Sequence, residues 1–326
     1  MVTVAATRNR ITQNSTYANG TIKNKNTLSS PSGQIGIDLL TGNNNPSTGA
    51  LSNGPSGVFV TPNSTSTAGG NNLLNFPVIS TAVLSGGYLT LTGTAPAGAI
   101  IEFFISDSDP SGYGEGKTYL RTLTEGYAAE DTNTTSGAFS FKVPVPSGVS
   151  LGTVLTSTAT VAAATNYNTS EFSANVTVAL APDITLAKCV VSGATCPASG
   201  INAAPGSDLT YRINFNNVVA SGGMSGRALV ITDIVPANTE FKVGSPSYSF
   251  GTTSLTNPVT VQYTNVSIAN PNPALQPLPP ADNDPSWSYT PTGTYDTNVR
   301  FVRWIFANGT IPSGTGGNVS FVVRVK

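Results

Sequence analysis

Residues 203–238, AAPGSDLTYRINFNNVVASGGMSGRALVITDIVPAN, contain two strand patterns separated by a Gly-rich loop. Apolar side chains occupy alternate positions of the first pattern: Leu209, Tyr211, Ile213 and Phe215. A period of two is expected of a strand with one buried face. The second pattern, residues 228–235, is largely apolar at both sets of alternate positions, which predicts a strand covered on both faces. Pro205 and Pro236 stand where a proline ends strand pairing or sets a turn. The stretch therefore predicts a β-sandwich.

The composition predicts many short strands joined by polar turns. The chain has 326 residues, including 33 Gly and 23 Pro, and only 10% of its residues are charged. Its formal net charge is −1 and 39% of its residues are hydrophobic, whereas disordered chains combine few apolar residues with high net charge. The 15 Lys and Arg residues are scattered and nearly balance the 16 Asp and Glu, so no basic stripe can follow a phosphate backbone. We therefore expect no nucleic-acid partner.

The sequence also bears on location. It contains no run of about 18 apolar residues, so we expect no membrane span in this chain. No charged-then-apolar leader follows Met1, so we expect no signal peptide in this chain. Thr, Ser and Asn are abundant while Lys and Glu are scarce, a composition common in secreted surface proteins. We expect an extracellular or cell-surface protein whose leader is not part of this chain.

Turn signals divide the chain into three parts. Residues 1–75 are polar, with apolar positions roughly six residues apart, which predicts a β-helix-like or strand-exchange segment. Residues 76–181 contain about seven strand patterns, a number typical of an immunoglobulin-like sandwich. Residues 182–326 predict a second sandwich. The predicted fold class is all-β, with a solenoid-like or irregular N-terminal segment followed by two Ig-like β-sandwiches in tandem.

Several motifs resemble bacterial surface proteins. ITLAK, APGSDLTYRINFNN, ALVITDIVPANTEF and VRWIFANGTIPSGTGGNVSFVVRV follow one another as in a repeat called domain of unknown function eleven. GIDLLTGNNNP and VFVTPNSTSTAGGNNLLNFPVIS resemble the end of a right-handed β-helix, and EFF, DPSGYGEG and NTSEFS resemble the sandwich that follows such helices. The first resemblance covers nearly all of residues 182–326. It implies an Ig-like stalk module with no known catalytic residues.

The two cysteines are predicted to pair. Cys189 and Cys196 flank the turn signal Ser192-Gly193, so the sequence CVVSGATC predicts a disulfide across a hairpin. A disulfide fits an oxidising compartment, and two reduced thiols are the alternative.

The acidic residues give little support for a catalytic or metal-binding site. Histidine is absent, which excludes Ser-His triads and His ligands. The acidic residues concentrate in one region: Asp107, Asp109, Glu115, Glu125, Glu130 and Asp131. Two of them could form an acid/base pair, but loops carry most surface polar residues, so we expect a polar loop and no enzyme. The loop also offers alternating oxygen atoms, so a weak calcium site at Asp107, Asp109 and Glu115 is the alternative, and we expect no other cofactor.

Aromatic residues suggest one ligand surface. The segment from Tyr248 to Tyr295 departs from the repeat, and its Pro-rich sequence predicts a surface loop. Trp287 and Tyr289 lie in it and are the candidate glycan-binding residues, but for Trp287 we favour a role in the core or as a loop anchor over an exposed glycan platform. Four other residues are predicted to be structural. Tyr211 is expected on the buried face and Trp304 in the core, and Asp233 is expected to bond the turn that Pro236 forms.

These patterns predict a structural protein of a bacterial surface layer, stalk or filament that acts by spacing and self-association through strand edges. The alternative is an adhesin or carbohydrate-binding module that uses residues 248–295 to contact a glycan or another surface protein. For residues 1–75, packing on the chain's own sandwich is the alternative to strand exchange with a neighbouring copy.

Overall fold

The computed structural model describes residues 6–19, 35–40, 60–107, 112–163, 166–191, 196 and 202–326. The described residues form several β-sheets and two short 3₁₀ turns, Gly70–Leu73 and Pro285–Trp287, so the all-β prediction is confirmed. None of their helical segments has the length and apolar character needed to cross a bilayer. The chain divides into two compact units, Met1–Leu180 and Ala181–Lys326.

The described residues of the first unit form two sheets. Their strands are β1 (Val78–Ser85), β2 (Tyr88–Thr94), β3 (Ile100–Ser106), β4 (Gly116–Thr124), β5 (Ala138–Pro144), β6 (Val154–Ala163), β7 (Asn166–Thr169), β8 (Val176–Thr177) and β9 (Ala179–Leu180). One sheet has the order β5-β2-β1-β9, and all its pairs are antiparallel except β1 with β9. The other has the order β4-β3-β6-β7, with β8 also paired to β6.

The core of the first unit lies between these two sheets. Phe103 of β3 packs edge-on against Phe139 and Phe141 of β5, with ring centroids 6.2 and 6.0 Å apart. The neighbouring residues Glu102 and Phe104 are also buried, at 3% and 2% exposure, although alternation along a strand directs them to the opposite face. The outer face of this sheet is therefore covered by another part of the chain.

In the second unit, the part of the chain that the structure describes also forms two sheets. Its strands are β10 (Ile184–Val191), β11 (Asp208–Asn217), β12 (Leu229–Ile234), β13 (Thr239–Lys242), β14 (Ser247–Ser249), β15 (Thr256–Thr264), β16 (Tyr295–Asp296), β17 (Phe301–Asn308) and β18 (Gly316–Val325). The larger sheet has the order β10-β11-β18-β13-β16, with β14 also paired to β18. The smaller sheet has the order β12-β17-β15.

The two strand patterns of residues 203–238 become β11 and β12, which belong to different sheets. Ile213 and Phe215 of β11 are buried in the core, as the alternation predicts. On β12, Ile231 is buried in the core, but Val230 is 40% exposed because alternation along the strand places it on the opposite, outer face of the sheet. The prediction that both faces of this strand are covered is therefore wrong.

Two further strand predictions are corrected. Residues 256–264, inside the predicted surface loop, form the edge strand β15 paired with β17. Pro258 is accommodated at a register shift between Thr256 and Val259, where no ladder hydrogen bond from its nitrogen is needed. Residues 172–178, whose pattern is one of the strand patterns predicted within residues 76–181, form a strand only at Val176–Thr177, and Phe172 instead packs on the outer face of the sheet that contains β3.

The described parts of residues 1–75 do not form the predicted solenoid ladder. Residues 6–19 and 35–40 contain no strand. Ile35, Ile37 and Leu39 are nevertheless all buried, at 7%, 4% and 1% exposure. Ile37 and Leu39 pack with Phe104 and Phe172, so their alternation reflects burial against the first sandwich rather than a strand.

Candidate functional site

The most elaborate polar site lies where residues 6–19, hereafter the N-terminal segment, lie across the sheet that contains β3. Six residues accept hydrogen bonds from the backbone of this segment, and we call them the anchor surface: Glu102, Asp107, Glu115, Gly116, Asn168 and Thr169. Among the described residues, Ala6 and Ile11 pack against a small cluster around Phe104, and the guanidinium carbon of Arg10 lies 4.7 Å from the ring centroid of Tyr167. The segment is therefore held mainly by hydrogen bonds.

Three residues of the N-terminal segment share an unusual geometry. Arg8, Gln13 and Ala18 lie five positions apart and have left-handed φ angles of 69°, 52° and 62°. Their backbone N–H groups donate to three different side chains of the anchor surface: Asn168 Oδ1 at 2.7 Å, Glu102 Oε2 at 2.9 Å and Asp107 Oδ2 at 2.8 Å. Non-Gly residues rarely adopt this conformation, which costs about 1–2 kcal/mol each. The anchor surface thus fixes a repeated bend of the backbone.

Other amides of the segment are bound in the same way. Ile11 N donates to Thr169 Oγ1 at 3.0 Å, Thr16 N to the Gly116 carbonyl at 3.0 Å, and Asn19 N to Glu115 Oε1 at 3.0 Å. Because the donors are main-chain groups, the anchor surface binds the backbone of the segment, and these hydrogen bonds depend little on which side chains the segment carries.

A buried asparagine completes the attachment. Asn71 has no exposed surface and adopts a left-handed φ of 45°. Its Nδ2 donates to the carbonyls of Asn9 at 2.8 Å and Thr169 at 2.9 Å, and its Oδ1 accepts from Asn9 N at 3.0 Å. Asn71 therefore joins the N-terminal segment to β7. It was not singled out from the sequence, where it is one of many Asn residues.

Glu171 holds two more pieces of chain. It is 1% exposed, and its oxygens accept from Leu39 N at 2.8 Å and Thr61 N at 2.7 Å. Burial raises the pKa of Glu171 to about 8, and the charge of Asp38 acts in the same direction, while the two amide donors oppose the shift. Burial also raises the pKa of Asp38 to about 6. The first unit thus contains a buried carboxyl group that titrates near neutral pH.

The residues proposed for calcium have a different role. Asp107 and Glu115 accept from the amides of Ala18 and Asn19, and Asp109 lies outside the described residues. Within the described part of the chain, no group of three or more His, Cys, Asp or Glu residues could hold a metal ion. The structure thus places these two carboxylates against protein N–H donors.

The remaining acidic residues of this region also bind backbone. Glu125 accepts from Gly98 N and Gly137 N at 2.5 and 2.6 Å, and Glu130 accepts from Thr124 N at 2.9 Å. Asp131 accepts from three amides: Gly126, Asn133 and Ser140. These carboxylates accept hydrogen bonds from the backbone N–H groups of turns at one end of the sandwich. The structure therefore gives no support to an acid/base pair among the acidic residues.

The proposed glycan platform is not exposed. Trp287 is only 3% exposed, and its Nε1 donates to the Ala281 carbonyl at 3.0 Å. Tyr289 is partly buried, packs against the core, and donates its hydroxyl to Asp296 at 2.8 Å. Both side chains therefore anchor the segment between β15 and β16, which agrees with the anchoring role favoured for Trp287 and leaves the glycan alternative without an exposed ring at that position.

Arg303 of β17 organises this anchor and was missed from the sequence. Its guanidinium carbon lies 4.0 Å from the ring centroid of Trp287, and its Nε donates to Gln262 Oε1 at 2.9 Å. Another guanidinium nitrogen donates to the Asp282 carbonyl at 3.0 Å. An alternating strand pattern gives no signal for a buried cation, so only the sequence FVRWIF, with a charge between apolar residues, could have suggested it.

The predicted structural residues of the second unit lie in or beside its core. Trp304 has no exposed surface, whereas Tyr211 is partly buried and stacks on Phe321 with centroids 5.6 Å apart. Asp233 does not bond the turn at Pro236. It accepts instead from Lys188 Nζ and from Ile234 N, at 2.8 and 2.9 Å. The Pro236 carbonyl accepts from Thr239 N at 3.0 Å and so closes that turn without Asp233.

The predicted disulfide is present. Cys189 of β10 is bonded to Cys196, with Cα atoms 5.6 Å apart. The expected turn at Ser192-Gly193 lies outside the described residues. The bond ties the chain that follows β10 back to that strand.

Comparisons with known proteins give no family. No family model matches the chain, and no curated protein matches it. The resemblances to a surface repeat and to a β-helix therefore stay hypotheses.

The chain has weak similarity to several solved structures. The major pilin SpaA of Corynebacterium diphtheriae has 13% identity over 76% of this chain, with a TM-score of 0.27. The C-terminal domain of the Streptococcus pyogenes antigen I/II-family protein AspA has 12% identity over 78% of this chain and 92% of its own, with a TM-score of 0.28. The C-terminal domain of the Streptococcus agalactiae AgI/II polypeptide BspA has 11% identity over 79% and 88%, with a TM-score of 0.24. The chain spans only 59% of the pilin's length, and these scores are too low to support a conclusion about this chain.

Proposed function

We propose that the chain is an extracellular structural protein of a bacterial surface layer, stalk or filament, which acts by spacing and self-association and not by catalysis. The observation that carries the proposal is the use of the carboxylates of the first unit. Glu102, Asp107 and Glu115 bind the N-terminal segment, Glu171 binds residues 39 and 61, and turns are bound by Glu125, Glu130 and Asp131. Side chains that could do chemistry are instead used to fix the backbone.

Two features support an extracellular assembly. The Cys189–Cys196 disulfide fits an oxidising compartment. The edge strands β10 and β12 carry exposed apolar side chains, Leu186 at 57% and Val230 at 40% exposure. Exposed edges of this kind pair readily with other strands, and soluble proteins usually protect them with charges. Edge pairing between copies is therefore the association mode that we propose.

Electron microscopy and light scattering of the intact protein test this function. We expect ordered assemblies that disappear in a Leu186→Lys/Val230→Lys variant, because lysines on edge strands block pairing. Leu151→Lys is the matched control, since Leu151 is a similarly exposed leucine in a turn of the first unit. An intact protein that stays monomeric at high concentration would contradict the proposal.

An adhesive role is the second candidate, with a protein rather than a glycan as its partner. The segment after β15 carries four exposed apolar side chains: Val266, Ile268, Leu275 and Leu278. Ile268 and Leu278 exchange backbone hydrogen bonds of 2.9 and 2.8 Å, so this surface has a defined conformation. Replacing Ile268 and Leu278 by Ser should then reduce binding to host or bacterial surface proteins without changing the melting temperature.

A further inference from the structure

We propose that the anchor surface is an exchangeable receptor, which binds the N-terminal segment of its own chain when the protein is dilute and that of a second copy when it is concentrated. The inference rests on the proposed self-association but names a contact different from the strand edges. The partner is a second copy of this chain, contributed as its residues 8–19.

The contact between the N-terminal segment and the anchor surface does not require that both belong to the same chain. The donors at positions 8, 11, 13, 16, 18 and 19 are main-chain N–H groups, and their acceptors lie on or beside β3, β4 and β7. The anchor surface also donates in return, from Thr169 N to the Asn9 carbonyl at 3.1 Å and from Gly116 N to Thr16 Oγ1 at 3.0 Å. Every one of these bonds can be made by an identical segment from another molecule.

The same geometry makes the bound segment releasable. Its apolar contacts are few, and Arg8, Gln13 and Ala18 are held in left-handed conformations that a free segment would leave. A tethered segment competes with an effective concentration on the order of millimolar. Exchange between copies therefore requires a comparable local concentration, such as that of a packed surface array, and the dilute protein is protected from premature assembly.

Two full-length variants separate donor from acceptor. Gln13→Pro/Ala18→Pro disables the segment, because proline lacks the N–H and cannot adopt a positive φ. Glu102→Ala/Asp107→Ala disables the anchor surface, because it removes the acceptors for those two amides. Each variant alone should be monomeric in this contact. A mixture should form a 1:1 complex by light scattering, since one variant retains an intact segment and the other an intact anchor surface.

A cysteine experiment decides the question if a proline or alanine variant does not fold. Ser15 Oγ donates to the Lys117 carbonyl at 2.7 Å, so Ser15→Cys in one copy should form a disulfide with Lys117→Cys in another under mild oxidation. Tyr127→Cys replaces Lys117→Cys in the matched control, because Tyr127 is exposed on the same unit and lies beyond the opposite end of β4 from Lys117.

We expect at least tenfold more linked dimer with Lys117→Cys than with Tyr127→Cys at high concentration, and loss of this difference on dilution. Equal yields at all concentrations, or a mixture of folded variants that stays monomeric, would overturn the exchange. The proposed function would still stand in that case if the intact protein assembles and the Leu186→Lys/Val230→Lys variant does not. The exchange and the proposed function can therefore be disproved independently.

Discussion

The N-terminal segment depends on residues in a conformation that their side chains disfavour. Ala18 has a φ of 62° and donates its N–H to Asp107. Glycine adopts this conformation without the Cβ clash but loses more backbone entropy on folding. The first effect is the larger, about 1–2 kcal/mol against roughly 0.5–1 kcal/mol.

We therefore expect Ala18→Gly to raise the free energy of unfolding of the first unit by about 0.5 kcal/mol, measured by denaturant titration. Ala128→Gly is the control, because Ala128 is exposed in a turn without a positive φ. There the entropy loss acts alone, and stability should fall. If both variants lose stability equally, the strain at Ala18 is smaller than its φ implies.

The buried carboxyl of Glu171 predicts a pH dependence of stability. Its pKa is about 8 in the folded protein against an ordinary 4.5, so the folded state holds the proton more tightly than the unfolded state. The stabilisation is complete below about pH 4.5 and is lost as the pH rises towards 8. Asp38 acts with the same sign between its ordinary 3.8 and about 6.

Denaturant unfolding at a series of pH values tests this dependence. We expect the stability of the first unit to fall between pH 6 and 8 in the native protein, and Glu171→Gln to remove that slope because an amide does not titrate. Glu130→Gln should keep the slope, since it leaves Glu171 intact. A Glu171→Gln variant whose profile follows that of the native protein would show that another group titrates.

At single residues, the sequence identified oxygen atoms but not their partners. Asp107 and Glu115 were recognised as candidate ligands, yet the donors that face them are Ala18 and Asn19, far away in sequence. The five-residue recurrence of Arg8, Gln13 and Ala18 leaves no mark in residue type, because it is a property of backbone angles. By contrast, the Cys189–Cys196 pair was predictable because the two residues are close in sequence.

Elements were predictable where apolar alternation is regular. β11 and β17 follow their patterns, whereas β15 was hidden by Pro258, which an edge strand tolerates at an irregular position. The connection from β15 to β16 was assigned as a loop, but its attachment depends on Arg303, whose three contacts come from different parts of the sequence.

Arg303→Ala should release this connection from the second unit. The change removes a buried cation together with its three hydrogen bonds, two of them to Asp282, and its contact with Trp287, so we expect a loss of about 3 kcal/mol in the free energy of unfolding. Proteolysis within residues 265–284 should become faster, and Trp287 fluorescence should shift to the red. Arg300→Ala is the control, because Arg300 is exposed. Unchanged proteolysis in Arg303→Ala would show that other contacts hold the connection.

The disulfide beside β10 should also stabilise the second unit. Closing so short a loop stabilises a protein by about 2.5 kcal/mol in the chain-entropy description. Reduction should therefore lower the melting temperature of the second unit, and a Cys189→Ser/Cys196→Ser variant should melt at the reduced value whether or not reductant is present. Two reactive thiols in the unreduced, denatured protein would contradict the bond itself.

For the whole molecule, the sequence predicted an all-β chain because strand patterns and turn residues recur throughout it. The described residues of the first 75 show the irregular form of the predicted segment and not a solenoid, because apolar positions in a polar stretch indicate only that something is buried. Ile37 and Leu39 are buried by Phe104 and Phe172, which a local pattern cannot reveal.

The order β10-β11-β18 has a mechanical consequence. β10 and β18 both run antiparallel to β11, so they run in the same direction on its two sides. Ile184 at the start of β10 faces Asn217, and Arg324 near the end of β18 faces Asp208 at the other end of β11. Tension between the two ends of this unit therefore shears both ladders and loads their hydrogen bonds together. Pulling on the N-terminal segment from one end instead loads its bonds in succession. In a single-molecule pulling experiment, we expect the segment to peel away at a far lower force than the second unit yields, and the reverse order would contradict this reading of the sheet.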